Sequence, residues 1–68
     1  YSRCRELSLR GAFSEQNVSF TAVNVLSGEG KADGKTFRAG DSFFVPAGER
    51  FALEGNAKII LTDAPQNK

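Results

Sequence analysis

No apolar stretch in this 68-residue chain repeats at helical spacing for two full turns, and glycine, asparagine or aspartate interrupts it at short intervals. A helix hides its apolar stripe only when that stripe recurs every third or fourth residue, so a chain punctuated this way has no helix to bury. Short strands with one apolar face suit it better. Turn signals recur roughly every ten residues, the spacing of an antiparallel sandwich or small barrel. The expected fold is all-β: a small antiparallel barrel or sandwich of six to seven short strands, without substantial helix. It should occupy residues 1–64 as one domain, followed by a polar, frayed tail at 65–68.

The strands can be placed along the chain. In "RELSLRG", Leu7 and Leu9 alternate with polar residues, as in a strand with one buried face. "NVSFTAVNVLSG" reads as the longest strand, with Val18, Phe20, Ala22 and Leu26 on one face and Val23 and Val25 on the other. Apolar residues on both faces predict a strand covered on both sides, at least along its second half. Asp33-Gly34 marks a tight hairpin that needs positive φ. A short strand over Ser42–Val45 should stop at Pro46, which has no amide proton, and Gly48, which permits a left-handed turn. "RFALEGNAKIILTDA" reads as two more strands around Gly55-Asn56. Phe51 and Leu53 share one face, and Ile59 and Leu61 alternate with Lys58, Ile60 and Thr62.

Composition narrows the function. A domain this small buries only about 60% of its unfolded surface and commonly relies on disulfides or a metal. One cysteine, Cys4, excludes an internal disulfide, and the absence of histidine removes the commonest metal ligand. Without a histidine to activate it, Cys4 reads as a buried or half-buried strand thiol rather than a nucleophile. A net charge of +1, with no run of like charges, is far from a nucleic-acid footprint. The longest apolar runs, "FFV" and "IIL", are too short to span a bilayer, and the polar start "YSRCREL" has no signal-peptide pattern. The start at Tyr1 rather than methionine leads to the expectation of a piece cut from a larger protein, although processing would leave the same start.

The stretch "GDSFFVPAG" resembles the second motif of the cupin barrels: glycine, five residues, proline, one residue, glycine. Gly40, Pro46 and Gly48 match it, Asn56 falls one residue from the pattern's closing asparagine, and Gly28 resembles the glycine that closes the first motif. In finer texture, "FTAVNVLSGEG…DGKTFRAGDSFFVPAGERFALEGNAKIIL" is similar to the C-terminal domain of class I mannose-6-phosphate isomerases. The cupin resemblance covers roughly Val18 to Leu61. It implies a cytoplasmic parent enzyme that interconverts mannose 6-phosphate and fructose 6-phosphate. The parent's zinc would sit in a preceding, histidine-containing domain, polarising the sugar's oxygens while a base moves a proton between neighbouring carbons.

The resemblance also locates where a metal-binding cupin would place its ligands. The glutamate position falls on Thr21 and the last histidine position on Phe51. The other two fall near Glu15 and Asn17, or on Ser14 and Gln16 if the spacing is one longer. Such a set holds no transition metal, since threonine is a poor ligand and phenylalanine none. No metal and no cofactor are therefore expected in this segment, and Phe51 is expected to fill the interior. As a domain of such an enzyme it would add a wall of the cleft or charge for the phosphate, from Arg50, Lys31, Lys35 and Arg38. The simpler reading of each cation is a solvated loop charge. Asp41, just after Gly40, should bond nearby backbone amides, and Gly28, Gly30 and Gly34 read as hairpin glycines rather than a phosphate loop.

The expected partner is the preceding catalytic domain of the same chain. The isolated segment should leave an edge or apolar face open and self-associate, by strand pairing across "RCRELSL". The alternative is a free-standing, metal-free cupin-like binding or oligomerisation module. A nucleic-acid barrel is disfavoured: the six phenylalanines fall mainly at strand positions that read as core, not among basic residues.

Overall fold

The computed structural model describes residues 3–17 and 19–64. Five strands make one antiparallel sheet: β1 (Arg3–Gln16), β2 (Phe20–Ala32), β3 (Lys35–Arg38), β4 (Ser42–Val45) and β5 (Arg50–Ala64). The strand order is β1-β5-β2-β3, with β4 pairing farther along the same side of β2. No helix occurs among the described residues, and none could cross a membrane. The all-β expectation holds.

The strands are fewer and longer than the six to seven short ones expected. Glycines that read as turns lie inside strands and bend them. Gly11 of β1 faces Gly55 of β5, which faces Gly30 of β2, so a row of glycines crosses three strands. "RELSLRG" therefore continues through Gly11 to Gln16, and the two strands expected around Gly55-Asn56 are one. The bend is deep. At about 3.3 Å per residue, the 14 residues of β1 would span about 45 Å if straight. The molecule's longest extent is 36 Å. Arg5 and Glu15, ten positions apart on β1, bring their side chains within 3.0 Å. The sheet thus folds over itself along the glycine row and encloses its own core.

That core contains Leu9, Val23, Val25, Phe37, Val45, Phe51, Leu53, Ala57, Ile59 and Leu61. Period-2 alternation delivers it: in β5 each odd position from Phe51 to Asp63, Gly55 apart, is buried, and the even ones are exposed or half-buried. The Asp33-Gly34 turn has φ of 49° and 86°, the paired positive values of a tight hairpin, and joins β2 to β3. Pro46 and Gly48 follow β4 and end its pairing, as expected.

The long strand differs from expectation in its coverage. A register shift between Val25 and Ser27 leaves Leu26 as the bulged residue, 55% exposed. Val23 and Val25 are buried, whereas Phe20 and Leu26 face outward, so β2 is covered on one side. Phe20 and Phe44 stack on each other there, with ring centroids 5.3 Å apart. The phenylalanines are accordingly not all core: Phe37 and Phe51 are buried, Phe13 and Phe43 half-buried, Phe20 and Phe44 exposed. Cys4 is also exposed rather than buried. Its neighbours Arg3 and Arg5 take the inward side, and the thiol sits 3.7 Å from the Thr62 hydroxyl on the outer face. Val18 and the 65–68 tail lie outside the described residues.

Candidate functional site

Among the described residues, two places collect chemistry-bearing side chains: an ion-paired cluster inside the folded sheet and a groove beside β3 and β4.

The inner cluster gathers Glu15, Asn17, Thr21 and Phe51, four of the positions at which the motif resemblance would set metal ligands. Thr21 and Asn17 are buried, Phe51 is 2% exposed, and Glu15 faces Phe51 across β1 and β5. The Thr21 hydroxyl donates to Asp63 Oδ1 at 2.7 Å and lies 2.9 Å from Asn17 Oδ1. Asn17 Nδ2 donates to the Val45 carbonyl at 3.1 Å. The cation of the cluster is a guanidinium. Arg5 Nη1 donates to Glu15 Oε1 at 3.0 Å and Nη2 to Asp63 Oδ1 at 3.1 Å. Arg3 adds two bonds to Asp63 Oδ2, from Nε at 3.2 Å and Nη2 at 3.0 Å. Arg5 Nε lies 3.0 Å from Asp63 Oδ2 but is not aligned to donate, and it is left without a hydrogen-bond partner.

This donor set does not fit a transition metal. Both carboxylates are paired with arginines, and the buried Phe51 ring beside them offers no donor atom. The cluster instead joins the start of β1 to the end of β5 and, through Glu15, to the other side of the bend. Sequence reasoning missed Arg3, Arg5 and Asp63. The parity of the strands was the available signal: Arg5 shares its side with Leu7 and Leu9, and Asp63 shares its side with Ile59 and Leu61.

The cluster sets a pH dependence. Burial alone would raise the Asp63 pKa, but the Thr21 hydroxyl, then Arg5 and Arg3, outweigh it and hold the carboxyl below its ordinary range. Arg5 is held protonated more firmly than usual, chiefly by its bond to Glu15, against burial, and then by Asp63. A depressed folded pKa gives stability that is present above the unfolded value, about 3.9 for aspartate, and lost as pH falls through the lower folded value. Thermal unfolding midpoints should therefore hold steady down to about pH 4 and drop below it. Asp63→Asn should start lower and lose that part of the acid dependence; an unchanged acid limb in this variant would contradict the assignment.

The groove, about 460 Å³, lies beside β3 and β4 on a floor that includes Phe37, Phe43, Val45 and Phe51. Lys35 and Arg50 line it, but so do Asp33, Asp41 and Glu49. Two cations against three carboxylates give a mouth that does not attract a phosphate. The other candidate phosphate cations are elsewhere. Lys31 faces Glu54 in register and lines a separate depression, and Arg38 faces Glu29. The four candidates do not converge. Asp41 accepts a hydrogen bond from the Arg38 amide at 2.9 Å, the turn role expected of it. Gly40 and Gly48 sit in the turns flanking β4, whereas Gly28 and Gly30 are pressed against the backbone of β5 rather than at a hairpin tip.

No family model, curated protein or solved structure matches this chain.

Proposed function

We propose that this chain is a non-catalytic β domain of a larger enzyme, in the manner of the cupin-like last domain of class I mannose-6-phosphate isomerases. The parent would interconvert mannose 6-phosphate and fructose 6-phosphate in the cytoplasm, with its zinc in a preceding domain. One observation carries the non-catalytic part of the reading. The positions that would ligate a metal in a cupin are used for packing and ion pairing: Phe51 in the core, Thr21 and Asn17 in buried hydrogen bonds, Glu15 on Arg5. Filling that space with a ring and a guanidinium competes with holding a ligand in it. The uncovered outer face, with Phe20, Phe44 and Leu26 exposed, supports a neighbouring domain that covers it.

The isomerase assignment rests on the motif resemblance around Gly40–Phe51. An amide NMR titration of the chain with mannose 6-phosphate, with and without zinc, tests the role of the segment. Negligible shifts at about 1 mM ligand are expected, a concentration at which even weak sites begin to fill. Shifts confined to Lys35, Arg50 and the turn after β4 would make the domain a wall of the substrate cleft. Saturable zinc binding would overturn the reading. The parent is tested separately by reading the coding sequence upstream of Tyr1. A few hundred residues with clustered histidine and glutamate are expected by analogy with this enzyme family. A start codon immediately upstream of Tyr1 would sink the isomerase reading and leave the free-standing module.

A further inference from the structure

β1 forms the edge of the sheet. Along Arg3–Gln16 it pairs with β5 on one side and, among the described residues, with no strand on the other. Its register with β5 is unbroken over all 14 residues, so alternate amides and carbonyls point away from the sheet. Natural edges of this length are usually blunted by proline, unpaired charges such as lysine, or a bulge, because they otherwise template pairing. β1 has no proline, no lysine and no bulge, and its inward charges Arg3, Arg5 and Glu15 are paired inside the same chain.

We propose that a second copy of this chain pairs with β1, antiparallel and about a two-fold axis, with Ser8 opposite Ser8 of the second copy. The register follows from charge. A two-fold normal to the sheet keeps inward faces together, so residues opposite one another share parity. Centring on Glu6 or Arg10 sets like charges against each other, which destabilises a cross-strand pair. Centring on Leu7 sets Arg5 against Leu9, and centring on Leu9 sets Arg5 against Phe13 and Glu6 against Ala12. Centring on Ser8 sets Glu6 against Arg10 twice on the outward face and Leu7 against Leu9 twice on the inward face. Arg5 then lies opposite Gly11, around which a side chain would meet open space. The paired stretch, Arg5 to Gly11, ends at the bend. Glu6 and Arg10 are exposed and take part in none of the ion pairs among the described residues, and half-buried Leu7 gains cover. This pairing does not depend on the enzyme assignment, since it uses β1 alone.

Sedimentation equilibrium of the chain in a Cys4→Ser background tests it, with far-UV circular dichroism confirming the fold of each variant. A concentration-dependent monomer–dimer equilibrium is expected. Glu6→Arg or Arg10→Glu alone turns two attractive contacts into two repulsive ones and should weaken Kd about tenfold or more. The double variant Glu6→Arg/Arg10→Glu restores both contacts with sign reversed and should return Kd to within about threefold of the parent value. A chain that remains monomeric up to about 1 mM, where even weak association registers, would overturn the proposal. So would a dimer whose Kd is indifferent to the single reversals, because it would use another surface.

Discussion

Phe51→Ala is expected to leave a large fraction of the chain unfolded at 25 °C. The ring is 2% exposed, packs 6.2 Å from Phe13 in a tilted arrangement, and lies among the residues that close the folded sheet. Truncating a buried phenylalanine to alanine costs about 3–5 kcal/mol, from lost transfer free energy and the cavity left behind. A 68-residue domain has about 3–10 kcal/mol in total at the usual 0.05–0.15 kcal/mol per residue. With a single cysteine the chain has no internal disulfide to add to that reserve. The comparison is Phe44→Ala, whose ring is 64% exposed and loses chiefly its stacking on Phe20. That change should cost no more than about 1 kcal/mol. Urea unfolding followed by circular dichroism separates the two; equal midpoints would mean that the inner face is not the core.

The second large effect separates two glycines that face each other. Gly55 and Gly11 are directly opposed at the bend and both have positive φ, 133° and 96°. An alanine at either position meets the backbone strain of that region, about 1–3 kcal/mol. Their surroundings differ. A Cβ on Gly55 would come within 2.5 Å of the Glu29 carbonyl oxygen and of Gly30 Cα, because β5 lies between two strands. A Cβ on Gly11 would meet nothing within 4 Å, because β1 is the edge. Gly55→Ala must therefore push β2 away as well as strain itself, and should cost about 3–5 kcal/mol in all, enough to unfold the domain. Gly11→Ala should cost about 1–2 kcal/mol and leave it folded. Denaturation midpoints of the pair give the difference directly, and similar midpoints would mean that β2 yields to the added methyl.

Strand identity was legible because burial in a sheet has period 2. Leu9, Phe51, Leu53, Ile59 and Leu61 could be assigned to inward faces from alternation alone, whereas β2, apolar on both faces, could not. The Asp33-Gly34 hairpin and the stop at Pro46 and Gly48 were legible because turn geometry restricts residue type locally. Strand number was not. A glycine that bends a strand and one that ends it look alike in sequence, since both supply the same backbone freedom. What distinguishes them is whether a neighbouring strand continues past the glycine, as β5 does past Gly11. The bulge at Leu26 escaped for a related reason: one extra residue shifts the inward parity from odd to even, and nothing local announces it.

The candidate site divides in the same way. Phe51 as a filler of the interior followed from its chemical type at a position where the motif resemblance would set a ligand. The ion pairs of Arg3 and Arg5 with Asp63, and of Arg5 with Glu15, did not. Their partners stand 60, 58 and ten positions apart along the chain. The Arg5–Glu15 contact exists only because the sheet folds at the glycine row, and an exposed cation and an inward one read the same in a charge count. The sequence by itself therefore determined an all-β fold, the inward faces of β1 and β5 and the tight turns. Tertiary structure alone decided where the long strands bend, which charges are drawn inside, and that β1 is left as an edge. Those outcomes depend on which backbone lies beside which, a relation between distant residues that no local pattern encodes.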